Sequence, residues 1–246
     1  MKKTSICFLL SYVALSALLC EVWAQKFQPA GEDWIEYWYG MDLVKNNGGF
    51  NASAKIDWLA EGTNKKLKDA EVTTPGGLRK LKSLKSVKLP KNGGDLKWDV
   101  IKINTNDDKN MSTSHGEGDL SNIEWYGLIV IKSKSARTTK IHPAHDDYAH
   151  IWLNGEKVFD NSQWTGGARI VKNPTKVKLK KGDNILLFRC GESGGADYVN
   201  LHFEKTDNDL KILPTTDKKF FQHVQALAVD AESKLATVWA EVKTYR

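Results

Sequence analysis

The 246-residue chain has 41% hydrophobic and 27% charged residues, a balance typical of soluble globular proteins. This composition excludes a chain that is too polar to build a core, and the length fits one large all-β domain with extensions. With 36 basic and 30 acidic residues, the formal charge is +6.

The first 24 residues are predicted to be a secretory signal peptide. Two lysines precede an apolar run from Ile6 to Leu19, and the segment before Gln25 suits a cleavage site. Glu21 ends the run before the roughly twenty apolar residues that a membrane span requires. We therefore expect a secreted or periplasmic protein, or one at the extracellular surface, with no transmembrane segment after cleavage of residues 1–24.

Cleavage after Ala24 would leave a single cysteine. Cys7 and Cys20 lie in the leader, and Cys190 remains. Lipidation of Cys20 is the alternative, but the residue before a lipidated cysteine is normally small and here it is Leu19. Without an intramolecular disulfide, stability must come from the core, and Cys190 is expected to be a buried, inert thiol.

The mature chain divides into a predicted β domain over residues 25–214 and a C-terminal extension over residues 215–246. The aromatic-rich segment Asp33–Gly40 predicts a first strand, and Ala54–Leu59 predicts a short helical turn. In the extension, apolar residues recur at three and four residues, the interval of a helix.

The segment Lys65–Asp95 is rich in lysine. Such a run indicates nucleic acid or an anionic surface as a partner. Its lysines alternate, however, with Leu81, Leu84, Val87 and Leu89. That period of two favours an edge strand, where lysines discourage pairing between molecules. Anionic polysaccharide stays open as a ligand class for residues Lys65–Lys91.

The middle of the chain alternates strands with one long loop. Lys97–Ile103 is predicted to be a strand, and Asn104–Asp119 a polar loop of a length that is usually functional or mobile. Asn122–Lys132 is among the most apolar runs of the mature chain and is predicted to be a central strand, buried on both faces. Arg137–Ile141 follows as a further strand.

A hairpin from Asp146 to Phe159 organises the rest of the chain. Asn154-Gly155 joins two apolar-bearing runs, which predicts a type I′ turn because both central residues of that turn need positive φ. Ser162–Arg169 is predicted to be a glycine-bearing loop that carries a tryptophan. Three more strands are predicted over Lys176–Leu179, Asn184–Cys190 and Tyr198–Glu204.

This order resembles the galactose-binding-like jelly rolls of secreted bacterial proteins, and more loosely the PA14 lectin-type domain. The phrases that carry the resemblance are DDYAHIWLNGEKVF, VKLKKGDNILLFR and GGADYVNLHF, within Ile141–Phe203. The resemblance implies an all-β fold, a jelly-roll β-sandwich with a C-terminal extension. It also implies that the protein binds carbohydrate.

In PA14 lectin-type domains, an Asp-Asp pair similar to Asp146-Asp147, joined by a cis peptide, holds Ca²⁺ against vicinal hydroxyls of a sugar. Ca²⁺ takes about six to eight oxygen ligands, and two adjacent carboxylates with loop carbonyls can supply them. The resemblance therefore implies a Ca²⁺ site at Asp146 and Asp147, with Asn200, Asp197 or Glu192 as further donors. Alternatively, the pair caps the strand and turn by Asx-type hydrogen bonds.

Three more candidate ligand-binding residues flank this pair. Trp164, Arg169 and Tyr198 lie in or beside neighbouring loops. Sugar recognition uses aromatic faces for C–H stacking and planar groups for the hydroxyls. We therefore predict that Asp146, Asp147, Trp164, Arg169 and Tyr198 hold the ligand.

Signals for other chemistry are weaker. His142, His145 and His150 cluster around the start of the hairpin, as transition-metal ligands or as satisfied turn histidines. The sequence has no nucleophile elbow, zincin helix or phosphate loop, and no spacing sets two carboxylates face to face. We therefore predict a non-catalytic carbohydrate-binding or cell-surface recognition module and not an enzyme.

The alternative function is a structural or adhesive module that docks a protein partner at the cell surface through its C-terminal tail. A carbohydrate ligand and a protein partner are thus both expected candidates. Nucleic acid is not an expected partner.

Overall fold

The computed structural model describes residues 27–46, 52–89, 94–216 and 220–224. Within these ranges the chain is an all-β protein with eleven antiparallel strands, which confirms the predicted fold class. None of the helices in these ranges is long and apolar enough to cross a membrane. The predicted signal peptide and most of the C-terminal extension lie outside the described residues.

The strands, in chain order, are β1 (Tyr37–Met41), β2 (Val44–Lys45), β3 (Ser86–Leu89), β4 (Gly94–Lys102), β5 (Ile123–Ser133), β6 (Arg137–Leu153), β7 (Glu156–Val171), β8 (Thr175–Leu179), β9 (Gly182–Glu192), β10 (Val199–Phe203) and β11 (Lys211–Leu213). The helices are α1 (Trp58–Gly62), α2 (Asp69–Val72), α3 (Pro75–Leu84) and α4 (Asn110–Thr113). The sheet order is β10-β6-β9-β5-β1-β4-β3, with β2 and β11 paired to β5, and β7 and β8 paired to β6. A jelly-roll topology stays a prediction.

Strand β5 lies at the centre of the sheet and is buried on both faces, as the sequence predicts. Because side chains alternate along a strand, Trp125 and Ile129 pack into one hydrophobic cluster and Tyr126 and Leu128 into another. The second cluster is covered by helices α1 to α3 and by residues 220–224. The apolar run of β5 thus links two cores.

The prediction of an edge strand through Leu81 and Leu84 is wrong, because this part of the segment forms helix α3. Thr74 caps the helix by accepting a backbone hydrogen bond of 3.1 Å, and Pro75 occupies the first turn. Leu78 and Leu81 bury one helix face at a spacing of three residues. Strand β3, which holds Val87 and Leu89, keeps the predicted extended conformation.

The hairpin turn is confirmed, but its second strand is longer than predicted. Asn154 and Gly155 have φ of 54° and 95°. The predicted loop Ser162–Arg169 belongs to β7, which follows β6 with several register shifts. Gly166 and Gly167, with φ of 140° and 153°, allow the strand to continue through these irregularities.

Near its start, the C-terminal extension packs against the second hydrophobic cluster. Residues 220–224 are helical, and the buried ring of Phe220 stacks on Tyr39 with centroids 4.7 Å apart. The ring of Phe221 meets Tyr39 edge-on at 4.8 Å. The start of the extension therefore contributes to the second core.

Candidate functional site

The predicted aspartate pair lies within β6, where pairing with β7 is irregular on both sides of it. The peptide bond between Asp146 and Asp147 is cis, the geometry that the resemblance implies. The amide of Asp146 donates a hydrogen bond of 2.9 Å to the carbonyl oxygen of Tyr198. The pair therefore lies against the chain segment that leads into β10.

Four carboxyl groups influence one another here. Burial and the neighbouring Asp147 raise the pKa of Asp146 from 3.8 to about 7. Burial raises the pKa of Asp147 and raises that of Asp197 to about 6. Burial, followed by the charges of Asp147, Asp197 and Asp146, raises the pKa of Glu192 to about 8. We call these four residues the acidic cluster.

Glu192 is the member of the cluster with the fewest partners. Its side chain is fully buried, and neither carboxylate oxygen makes a hydrogen bond of normal geometry within the described residues. The amide of Gly194 is close enough to oppose the rise in the pKa of Glu192. A buried carboxylate with unpaired oxygens is costly, so this position favours a proton or a cation.

Backbone groups hold two other members in place. The amide of Ser193 donates to Asp147 Oδ2 at 2.9 Å. The amide of Met111, in α4, donates to Asp197 Oδ1 at 3.0 Å, and the hydroxyl of Ser112 donates to Oδ2 of the same residue. The long polar loop predicted from the sequence thus supplies α4 as a support for the cluster.

Two lysines come near the cluster, Lys172 beside Asp146 and Lys109 beside Asp197. Lys172 lowers the pKa of Asp146, but this contribution is smaller than the effects of burial and of Asp147. Cys190 lies beside the pair, with its thiol in contact with the carbonyl oxygens of Asp146 and Tyr198, and burial raises its pKa. The prediction of a buried cysteine is confirmed, and a protonated thiol adds no charge.

Tyr198 and Arg169 are close to the cluster, but Tyr198 is not an exposed stacking platform. Its side chain is buried, and its hydroxyl donates to the carbonyl oxygen of Thr105 at 3.1 Å. The guanidinium of Arg169 lies 5.7 Å from the ring centroid of Tyr198 and forms an ion pair of 2.5 Å with Asp108.

Asn200, predicted as a metal ligand, has a structural role in this fold. Its side-chain oxygen accepts hydrogen bonds from the amides of Ile35 and Leu201, at 3.1 and 2.8 Å. Its amide group donates to the carbonyl oxygen of Ile35 at 3.0 Å. Asn200 therefore ties β10 to the segment before β1.

Trp164 is the predicted aromatic residue that reaches the surface. Its side chain is 65% exposed on β7. The next two residues, Thr165 and Gly166, pair with Asp147 and Asp146 in the ladder. An exposed indole therefore lies on the strand that borders the aspartate pair.

The three candidate histidines contact different partners. His145 Nδ1 donates to the carbonyl oxygen of Asp147 at 2.8 Å, and His150 Nε2 lies 2.8 Å from the hydroxyl of Ser162. Burial lowers the pKa of each of these two imidazoles to about 4. His142 stacks on His202 at 4.6 Å. In the described ranges, no group of three or more His, Cys, Asp or Glu side chains is arranged to hold a metal ion.

Sequence reasoning missed the residues that shape the cluster through the backbone. A Cβ at Gly166 would lie 2.0 Å from the carbonyl oxygen of His145, so only glycine allows β7 to approach β6 here. In the sequence, the pair Gly166-Gly167 could have indicated this close approach of the two strands. The amide of Ser193 and the charge of Lys172 had no comparable signal in the sequence.

Comparison with protein-family models and with curated proteins found no match for this chain.

Proposed function

We propose that this protein is a secreted, non-catalytic module that binds carbohydrate or a cell-surface glycan at the acidic cluster and the neighbouring part of β7. One observation carries the proposal: four carboxyl groups lie together, and the buried Glu192 among them has no hydrogen-bond partner within the described residues. A cation would offset this accumulated negative charge.

Ca²⁺ is the cation that this set of donors fits best. Asp146 and Asp147 offer adjacent carboxylate oxygens, and the site is rich in oxygen and poor in free imidazole nitrogen. Because no group of three or more acidic, histidine or cysteine side chains in the described ranges is arranged as a ready metal site, backbone and ligand oxygens would complete the coordination. When bound, Ca²⁺ could offer open positions to the hydroxyls of a sugar.

Burial argues for binding rather than hydrolysis. Asp147, Glu192 and Asp197 are at most 1% exposed, and only Asp146 is partly accessible. A glycosidase needs two carboxyl groups on either side of a substrate bond, separated by about 5–10 Å. A small cation can lie among buried carboxylates where a pyranose cannot.

Trp164 supplies the aromatic face that a sugar site requires. Its exposed indole, one residue from the partner of Asp147, offers a flat apolar face for the C–H groups of a pyranose. The alternative function, protein docking through the C-terminal tail, has less support, because Phe220, near the start of the tail, is packed into the chain's own core.

Thermal unfolding with Ca²⁺ and with a chelator tests the metal part of the proposal. A ligand at a hundred times its dissociation constant adds about 2.7 kcal/mol to the free energy of unfolding. We expect Ca²⁺ to raise the midpoint of the wild type and of Asp95→Asn, an exposed carboxyl on β4, but not that of Asp147→Asn. An unchanged wild-type midpoint would refute the Ca²⁺ site.

A glycan array probed with and without Ca²⁺ tests the ligand class. We expect binding in Ca²⁺ that is lost in chelator and in Asp147→Asn. A protein that responds to Ca²⁺ but binds no glycan would keep the metal site and refute the carbohydrate function.

A further inference from the structure

A basic cavity lies on the helical segment, residues 52–84 with helices α1 to α3, on a different part of the molecule from the acidic cluster. It has a volume of about 430 Å³ and is lined by Lys65, Lys66, Lys80, Ser83 and Leu84. We propose that this basic cavity binds an anionic polysaccharide, a chain that carries sulfate or carboxylate groups at regular intervals.

The cavity brings lysines together from two elements. Positive φ at Asn64 and Lys65, 52° and 62°, turns the chain after α1 and places Lys65 and Lys66 beside α3. Lys80 comes from α3 itself. All three lysines are exposed. Their convergence is a product of the fold, because a span of 14 residues separates Lys66 from Lys80 in the sequence.

Positive charge around the cavity is only partly compensated. Between Lys65 and Lys88 the sequence has eight lysine or arginine residues and two acidic residues. Asp69 is buried beside Arg189, and Glu71 pairs with Lys80. Within the described residues, Lys65 and Lys66 form no ion pair with a carboxylate. This local excess of positive charge would attract a polyanion.

The structure also removes the competing explanation for these lysines. Lysines on a sheet edge prevent pairing between molecules, but α1 to α3 and their connections are not part of the sheet. That explanation still applies to Lys88, because β3 is the outer strand of the sheet. It does not apply to the lysines that line the basic cavity.

The basic cavity and the acidic cluster can be tested independently. The amide of Gly155 donates to Thr73 Oγ1 at 2.7 Å, which fixes the helical segment at the turn end of β6. Asp147 precedes that turn by six residues of strand, or roughly 20 Å. A variant at either site should therefore leave the other intact.

The lining favours a polysaccharide over a single-stranded nucleic acid. Among the described residues, no aromatic ring lines the cavity, whereas bases in single-stranded sites stack on aromatic side chains. Lysine ammonium groups act as point charges, which suits sulfate and carboxylate groups without demanding planar geometry. Duplex DNA, which presents regularly spaced phosphates, is the competitor that the experiment must include.

The experiment measures binding of the protein to dextran sulfate, polygalacturonate, neutral dextran and duplex DNA. We expect binding to at least one of the acidic polysaccharides, none to neutral dextran, and loss of binding in about 1 M salt, where the Debye length falls to about 3 Å. Tighter binding to DNA than to either acidic polysaccharide would overturn the proposal, and so would the absence of binding to both.

Two double variants each remove two positive charges, one inside the basic cavity and the other on strand β8. Lys65→Gln with Lys66→Gln should weaken polysaccharide binding on the order of tenfold. Lys176→Gln with Lys178→Gln, two exposed lysines on β8, should change it by less than about twofold. Equal losses in the two double variants would overturn the basic cavity as the site. Equal thermal midpoints would show that both variants are folded.

Discussion

Arg189 and Glu124 form a fully buried ion pair across two central strands. Arg189 Nε donates to Glu124 Oε2 at 2.8 Å, and Nη2 lies 2.7 Å from the same oxygen. The guanidinium also donates to the carbonyl oxygens of Ser53 and Ile56, each at 2.7 Å, and lies 3.4 Å from Asp69. One side chain on β9 thus ties the helical segment to the sheet.

Replacing Arg189 with Leu should destabilise the protein by about 3–5 kcal/mol, because Glu124 and Asp69 would be left as buried, unpaired carboxyl groups. Arg79→Leu, at an exposed position of α3, is the control and should change stability by less than about 0.5 kcal/mol. Denaturant unfolding measures both. A loss below about 1 kcal/mol for Arg189→Leu would contradict this role of the ion pair.

Stability without metal should fall as the pH rises from about 6.5 to 8. In the folded state the pKa of Asp146 is about 7 and that of Glu192 about 8, against ordinary values of 3.8 and 4.5. The folded protein therefore binds more protons than the unfolded chain in this window, and the free energy of unfolding decreases with pH. His145 and His150 oppose this decline near pH 6.5, because their pKa is lowered from 6.5 to about 4 in the folded protein while the unfolded chain still binds protons at both. Their contribution fades as the pH rises towards 8, and near pH 6.5 it is smaller than that of Asp146 and Glu192 together.

Unfolding in chelator at a series of pH values checks this dependence. Glu192→Gln should flatten the decline, because glutamine cannot titrate, while Asp95→Asn should leave it unchanged. A wild-type profile that is level or rises between pH 6.5 and 8 would contradict the raised pKa values of Asp146 and Glu192.

Local sequence signals predicted the features that depend on neighbouring residues. Asn154-Gly155 encodes its own turn, and the uninterrupted apolar run of β5 predicts burial on both faces. Helix α3 was missed because Leu81, Leu84, Val87 and Leu89 also fit a period of two. Thr74 and Pro75, as N-cap and first helical residue, carried the better signal.

The acidic cluster depends on long-range register. Glu192 comes near Asp147 because β9 pairs with β6 so that Cys190 lies opposite Ala149. A shift of one residue would turn Glu192 to the other face of the sheet. The resemblance named the four carboxyl residues as candidates, but the sequence could not predict the burial of Tyr198 or the hydrogen bonds that occupy Asn200.

Gly166→Ala should disturb the acidic cluster through the backbone. The new Cβ would lie 2.0 Å from the carbonyl oxygen of His145, and φ at this position is 140°. We expect a loss of about 1–3 kcal/mol in the free energy of unfolding and a smaller shift of the midpoint with Ca²⁺. Gly94→Ala is the matched control, since a Cβ there meets no atom within 4 Å. Equal stability of the two variants would show that β7 can move away from β6 without cost.

Trp164→Ala should separate ligand binding from folding. Because the side chain is 65% exposed, we expect stability to change by less than about 0.5 kcal/mol. Affinity for the glycan that binds best on the array should fall roughly tenfold through loss of the stacking face. Ile170→Ala, a 51% exposed apolar residue on the same strand, should weaken binding less because it has no ring. Equal affinity of Trp164→Ala and the wild type would exclude the indole from the site.

Phe220→Ala should cost about 3–5 kcal/mol, because the ring is buried and stacks on Tyr39 at 4.7 Å. Phe221→Ala should cost less, since Phe221 is only partly buried. Denaturant unfolding of the two variants measures whether the start of the extension is part of the core or only lies on its surface. A large loss for Phe220→Ala would mean that a protein partner could capture this residue only by unpacking the second core. Small and equal losses would make the start of the extension available for docking.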